Sequence, residues 1–148
     1  LGARGGAVIL AEGFTGWNMD HRAKSILAVD GCGGLLVGAA VLLLPDLFHA
    51  LYEIPRALLV VMGAANLTYG VYSSTLAASA FKRETVPRRW VTLLCVANLS
   101  WTAVCAVLLV YLAGTITALG AAHLALEGLY VATLAVLEYR FVRPSARP

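Results

Sequence analysis

Charged residues in this chain are gathered into short clusters that are separated by long apolar runs. The run 26–44 contains Asp30 as its only charge, and no charge occurs over 57–81. A third run without Asp, Glu, Lys or Arg extends over 90–126. Since about 20 apolar residues span a bilayer, the first two runs predict one transmembrane helix each. The third run is too long for one helix, so it contains one transmembrane helix and the beginning of another.

The third run divides at Gly114 and Thr115, because glycine commonly ends a helix and threonine commonly begins one. Prolines stand near the other predicted helix ends, where a missing backbone N–H is tolerated, at Pro45, Pro55 and Pro87. We therefore predict four transmembrane helices, called spans one to four, at about 26–44, 57–80, 90–112 and 115–137.

The overall composition points to the same class of protein. The 148-residue chain is 60% hydrophobic and 13% charged, whereas soluble domains average roughly 45–50% and 25%. A soluble bundle would also need polar outer faces, which spans two and three lack. We expect an all-α integral membrane protein, and neither a soluble enzyme, a disordered chain nor a nucleic-acid-binding domain.

Lysine and arginine are distributed unevenly around the predicted spans. Ten of the eleven precede span one, lie between spans two and three, or follow span four, and the remaining one is Arg56. Since basic residues mark the cytoplasmic side of a membrane protein, both termini are predicted to face the cytoplasm, or the matrix or stroma of an organelle.

The chain is predicted to have three segments. Residues 1–24 form a glycine-rich N-terminal extension, 25–141 the four-helix transmembrane domain and 142–148 a basic C-terminal tail. Five glycines among the first 16 residues argue against a stable isolated helix in the extension.

Spans two and four resemble each other. Gly-Ala-Ala-Asn-Leu at 63–67 matches Gly-Ala-Ala-His-Leu at 120–124, and 70–77 matches 128–135 in its Gly, Tyr, Thr, Leu and Ala positions. This pattern predicts two helical hairpins that form a parallel internal repeat. The alternative is chance agreement between small residues, which recur at helix contacts.

Polar residues follow helical spacing inside the predicted spans. In span four, His123, Glu127 and Tyr130 share one face, with Glu127 near the bilayer midplane. The other spans offer partners for the Glu127 carboxyl group: Asn66, Tyr69, Asn98 and Thr102. Because ionisable groups are costly inside a bilayer, this intramembrane polar cluster is the candidate site.

Two interpretations of Glu127 stay open. With His123 and Tyr130 it can form a proton or cation site, or a protonated Glu127 can join helices through hydrogen bonds alone. A single carboxyl group without a second charge favours the structural interpretation. Asp30 is expected one turn inside span one, on the inner side of the membrane, where water and Lys24 or Arg22 can reach it.

Gly34 and Gly38 form a GxxxG motif, which predicts close packing against another helix, of this chain or of another. No catalytic residue, metal site or cofactor is predicted. The three cysteines form no C-x-x-C pair, and His123 is the only histidine inside a predicted span, so haem ligation is not expected. Bound lipid is the one ligand that the sequence allows.

Short motifs carry a resemblance to known proteins. They are Asp30 in span one, Leu-Leu-Pro at 43–45, Ile-Pro at 54–55, Asn98 followed by Trp101, and Leu-Glu-Tyr-Arg at 137–140. Over about 25–141 the chain resembles a broad group of small four-span bacterial membrane proteins without assigned activity. The resemblance implies a four-helix fold in a bacterial inner membrane, or in an organellar membrane of bacterial origin, and it supplies no activity.

Three functions are therefore considered. The first, which the glycine face and the short loops favour over the others, is a non-catalytic subunit or assembly factor of a larger membrane complex. The second is a small proton-coupled transporter or channel that acts as a homo-oligomer, with Glu127 as the titrating group. The third, a lipid- or quinone-binding enzyme, would depend on His123, Tyr130 and Trp101. The expected partners are membrane lipids and other membrane subunits or further copies of this chain.

Overall fold

The protein is described by a computed structural model over residues 19–82 and 86–147. Its helices are α1 (His21–Leu43), α2 (Pro45–Tyr52), α3 (Arg56–Phe81), α4 (Arg88–Tyr111), α5 (Ala118–Leu137) and, after a π-helical turn at Glu138–Val142, the short α6 (Arg143–Ser145). Helices α1, α3 and α4 and the continuous helical stretch Ala118–Ser145 are long and apolar enough to cross a membrane. The described residues are almost entirely helical, without a strand, and four helices have the length and apolarity that we predicted, which suggests a multi-pass membrane protein.

Helix α1 begins five residues earlier than predicted. The Asp20 carboxylate accepts hydrogen bonds from the backbone N–H groups of Arg22 and Ala23, which satisfies donors that a helix N-terminus otherwise leaves unpaired. Met19 and Ala23 are buried in the core. Met19 and Ala23 therefore pack with the bundle, although we predicted them as part of the extension, and residues 1–18 lie outside the described residues.

Helix α5 begins three residues later than predicted, because a different threonine caps it. Thr117 accepts a hydrogen bond from the backbone N–H of Gly120 at 3.1 Å, while the Thr115 hydroxyl donates to the Leu112 carbonyl at 2.8 Å. Gly114 turns the chain just before these threonines with a φ of +81°, a conformation that glycine adopts at little cost.

The described part of the predicted C-terminal tail packs on the bundle. Val142 and Ala146 are buried. The Arg147 N–H donates to the Val86 carbonyl at 3.0 Å, and the Arg88 N–H donates to the Arg147 carbonyl at 2.7 Å. These bonds hold residues 142–147 against the start of α4.

Helices α1 and α3 pack closely through glycines. A Cβ atom added at Gly34 would lie 2.8 Å from Gly70 Cα, and one added at Gly38 would lie 2.8 Å from the Gly63 carbonyl oxygen. Neither distance leaves room for a side chain, so the backbones of α1 and α3 touch. The GxxxG motif therefore packs on a helix of the same chain.

The outside of the bundle is apolar, whereas several polar residues are buried inside it. Large apolar side chains cover its outside, among them Leu36, Val61, Val107, Val110 and Leu129. The buried polar residues of the described chain are Asp30, Asn66, Ser73, Asn98, Glu127 and Glu138. An apolar outside suits contact with lipid, and the buried polar residues define the candidate site.

Candidate functional site

Glu127 joins three helices at the centre of the bundle. Its side chain, on α5, is 9% exposed. The Oε1 atom accepts hydrogen bonds from Asn66 Nδ2 on α3 at 2.6 Å and from Trp101 Nε1 on α4 at 2.7 Å. Since both neighbours donate, Oε1 is held as an acceptor.

The second oxygen of Glu127 faces His123, one turn earlier on α5. Their Oε2 and Nε2 atoms are 3.3 Å apart, but they are not aligned for a hydrogen bond, and neither atom has a hydrogen-bond partner among the described residues. The Tyr52 ring stacks on the His123 ring at 4.9 Å and 28°. A proton on His123 would therefore be attracted directly by Glu127.

Other titratable groups approach Glu127 from the neighbouring helices. They are Tyr52 on α2, His123 on α5 itself and Cys105 on α4, and Asp30 on α1 lines the same cavity. Tyr52 lies outside the membrane-spanning helices. Its burial, and secondly the negative charge of Glu127, raise the pKa of the Tyr52 phenol.

A second acidic cluster, here the Asp30 cluster, consists of Asp30, Asn98 and Glu138. Asn98 Nδ2 donates to Glu138 Oε2 at 3.1 Å, and the Asp30 carboxyl group lies beside that of Glu138. Asp30 Oδ2 and Glu138 Oε1 are buried without a hydrogen-bond partner among the described residues. Two neighbouring carboxyl groups repel each other when both are ionised.

The position of Asp30 differs from the prediction. It is 6% exposed and lies against Ser73 and Glu138, whereas we expected it to be reachable by water. The reason is the early start of α1: Asp30 follows His21 by nine residues, which places it roughly 14 Å along the helix.

Glu138 was not among the predicted site residues, although it is fully buried. It begins the π-helical turn Glu138–Val142, and such turns occur frequently at functional sites. One signal in the sequence could have revealed it. Glu138 follows Glu127 by eleven residues, close to three turns of helix, so the two carboxyl groups share a face.

The structure assigns different partners to several predicted residues. Of the four side chains predicted to meet Glu127, Asn66 is bonded to it, while Asn98 is bonded to Glu138. The Thr102 hydroxyl contacts the Asn98 carbonyl at 3.0 Å and the Gly128 carbonyl at 3.4 Å.

The aromatic neighbours of Glu127 also differ from the prediction. Tyr69, predicted to meet the carboxyl group, packs edge-on against Trp101, with ring centroids 6.2 Å apart. Trp101 was named above only in a short motif and for the lipid- or quinone-binding alternative, but its indole N–H reaches Glu127. An indole N–H usually finds a partner when it is buried, which is the signal that could have indicated this bond.

A cavity of about 310 Å³ lies between the two acidic groups. Its polar lining includes Asp30, Asn66, Asn98 and Glu127. The cavity therefore borders both Glu127 and the Asp30 cluster. This volume is at the lower end of the range for sites that bind small molecules.

The cavity is partly closed on one side by Tyr130. The Tyr130 hydroxyl on α5 donates to the Val29 carbonyl on α1 at 3.0 Å and lies against Gly33. Tyr130 and Leu126, which both line the cavity, are 40% and 66% exposed. The rim therefore reaches the outer surface between α1 and α5.

No group of three His, Cys, Asp or Glu residues within 19–82 and 86–147 is arranged to hold a metal ion. The geometry instead places Glu127 and the Asp30 cluster beside one cavity. Such groups can hold protons or attract a positively charged group. Comparison of the chain with protein-family models, with curated proteins and with solved structures finds no match.

Proposed function

We propose that the protein is a small proton-coupled membrane transporter or channel, in which Glu127 takes up and releases the proton. The observation that carries the proposal is the position of Glu127. This carboxyl group is buried among membrane-spanning helices and lines a cavity, and its Oε2 atom has no aligned hydrogen-bond partner among the described residues. Ionisable residues at such depth commonly mark ion or proton routes.

The Asp30 cluster supports a route rather than an isolated site. Glu127 and Glu138 are eleven residues apart on a continuous helical stretch, or roughly 16 Å along its axis. Asn98 lines the cavity and also donates to Glu138. The polar groups therefore cover about half of a hydrocarbon core of roughly 30 Å. The argument that a single carboxyl group favours a structural role for Glu127 is therefore weakened.

The proposal includes an orientation and an architecture. Both termini would face the cytoplasm, or the matrix or stroma, as the distribution of basic residues indicates. The extensive contacts of α1 with α3 and of α4 with α5 support two hairpins that form a parallel repeat. Self-association is expected, since four spans are few for a complete pathway. A bacterial inner membrane, or an organellar membrane of bacterial origin, is the proposed location.

The accessory-subunit hypothesis is less well supported by the geometry. One of its main arguments is a glycine face that could receive a helix of another protein. Gly34 and Gly38 instead contact the backbone of α3, so this face is occupied within the chain. Native mass spectrometry after gentle extraction would show a larger complex if that hypothesis holds.

The test is proton flux into vesicles that contain the purified protein and a pH-sensitive dye, driven by a potassium diffusion potential. Glu127→Gln is expected to lower the protein-dependent flux at least tenfold, because the amide cannot carry the proton. Gln keeps an acceptor oxygen for Asn66 and Trp101, so the bundle should stay folded.

Asp46→Asn is the matched control for this measurement. Asp46 is an exposed carboxylate that pairs with Arg56 at 3.0 Å, and its replacement should leave the flux unchanged. The proposal is wrong if wild-type vesicles take up protons no faster than empty ones, or if Glu127→Gln conducts like wild type.

A further inference from the structure

The cavity combines apolar walls with acidic groups. Val37, Leu126 and Val131 provide apolar surface, while Asp30 and Glu127 provide carboxyl groups. A neutral apolar molecule would leave these carboxyl groups without a partner, and an anion would be repelled by them. The lining therefore selects for a molecule that is apolar over most of its surface and positively charged at one end.

The hydrogen-bonding inventory gives the same answer in more detail. Glu127 Oε1 already accepts two hydrogen bonds. Glu127 Oε2 accepts no aligned hydrogen bond from the described residues, and the nearest donor is His123 Nε2 at 3.3 Å. Buried acceptors are costly when unpaired, so a ligand that brings N–H donors to this oxygen would stabilise it. A primary ammonium group carries three such donors together with the positive charge.

The rim of the cavity indicates how such a molecule would reach the site. Leu126 and Tyr130 are exposed on the outside of the bundle, at positions well inside the helical stretch Ala118–Ser145. Side chains exposed at that depth face lipid. A molecule dissolved in the bilayer can therefore approach between α1 and α5, where the hydrogen bond from Tyr130 to the Val29 carbonyl crosses its path.

We propose that the cavity binds a small hydrophobic primary amine in its ammonium form, taken up from the bilayer between α1 and α5. The ammonium group pairs with the carboxyl group of Glu127, Asp30 adds negative charge to the same lining, and the apolar body packs on Val37, Leu126 and Val131. This inference rests on the proposed function, since the bound ammonium ion takes the place of the proton on Glu127.

The experiment measures equilibrium binding to the full chain in lipid nanodiscs, with empty nanodiscs subtracted. The probes are 2-phenylethylamine, the neutral 2-phenylethanol and the anionic phenylacetate, which share one ring and differ in charge. The amine is expected to bind at least tenfold more tightly than the alcohol, and phenylacetate should bind more weakly still. Equal binding of amine and alcohol overturns the inference.

Two variants separate the charge from the shape of the site. Glu127→Gln should weaken amine binding at least tenfold and leave alcohol binding unchanged. Leu126→Trp should weaken both by filling the rim, and its lipid-facing position keeps the bundle folded. Asp46→Asn should change neither. If Glu127→Gln is misfolded, the preference of wild type for the amine and the effect of Leu126→Trp decide the question.

The flux and binding measurements test the proposed function and the proposed ligand separately. Proton flux that depends on Glu127, without any preference for the amine, refutes the ligand but retains the proposed function. Selective amine binding without proton flux retains the site but refutes the proton-coupled role.

Discussion

Gly38→Leu is expected to separate α1 from α3 and to lower the free energy of unfolding by about 3 kcal/mol or more. Overpacking a tight contact typically costs about 1–3 kcal/mol and sometimes more. Here the added Cβ alone would lie 2.8 Å from the Gly63 carbonyl oxygen and 2.9 Å from Leu67 Cα. Both atoms belong to the backbone of a helix, so they cannot move aside as a flexible side chain would.

The measurement for this variant is unfolding in mixed micelles with increasing sodium dodecyl sulfate, followed by circular dichroism. Cys32→Leu is the matched control, because Cys32 lies on the same helix but is exposed. It should change the unfolding free energy by less than about 0.5 kcal/mol. A Gly38→Leu protein as stable as wild type would show that α1 and α3 do not pack as described.

Glu127→Leu is expected to lower the unfolding free energy by about 2–5 kcal/mol. The substitution removes the acceptor for Asn66 Nδ2 and Trp101 Nε1, and each unsatisfied buried donor costs about 1–3 kcal/mol. Adding Asn66→Leu and Trp101→Phe removes both unpaired donors. The triple variant should therefore recover a large part of the lost stability.

The same unfolding assay checks this recovery. Thr133→Leu, an exposed polar-to-apolar change on α5, should have an effect within about 0.5 kcal/mol. If the three substitutions simply add, with no recovery in the triple variant, then Glu127 does not organise the two donors. That result would remove the structural basis for placing Glu127 at the centre of the site.

The sequence predicts the four helices well because their signal is a property of single segments. A run of about 20 uncharged residues needs no knowledge of its neighbours to be identified. The helix ends depend on local capping and were less accurate. Asp20 and Thr117 cap α1 and α5, and each is one of several polar residues near a helix end that could serve.

The partners within the site were only partly predictable for a different reason. Helical periodicity places His123 and Glu127 on one face, and the structure brings them together. It does not specify how neighbouring helices are rotated, so Asn98 could not be assigned to Glu138 in place of Glu127. The π-helical turn at Glu138–Val142 is a tertiary feature that no spacing rule predicts.

The Asp30 cluster changes the interpretation of Glu127. On sequence alone it is a nearly isolated carboxyl group, for which a structural role is the simpler explanation. In the structure it shares a cavity with Asp30, and Asp30 contacts Glu138. Three buried carboxyl groups within one bundle are expensive to maintain. This cost is an argument for the proposed proton route over helix association alone.

Proton uptake by Glu127 inside the bundle is measured most directly by infrared difference spectroscopy of the protein in lipid, between neutral and acidic pH. We predict a C=O stretching band of a protonated carboxyl group that appears on acidification of wild type, shifts in D₂O and is lost in Glu127→Gln, while Asp46→Asn retains it. A wild-type difference spectrum identical to that of Glu127→Gln would contradict the proton-coupled role of Glu127.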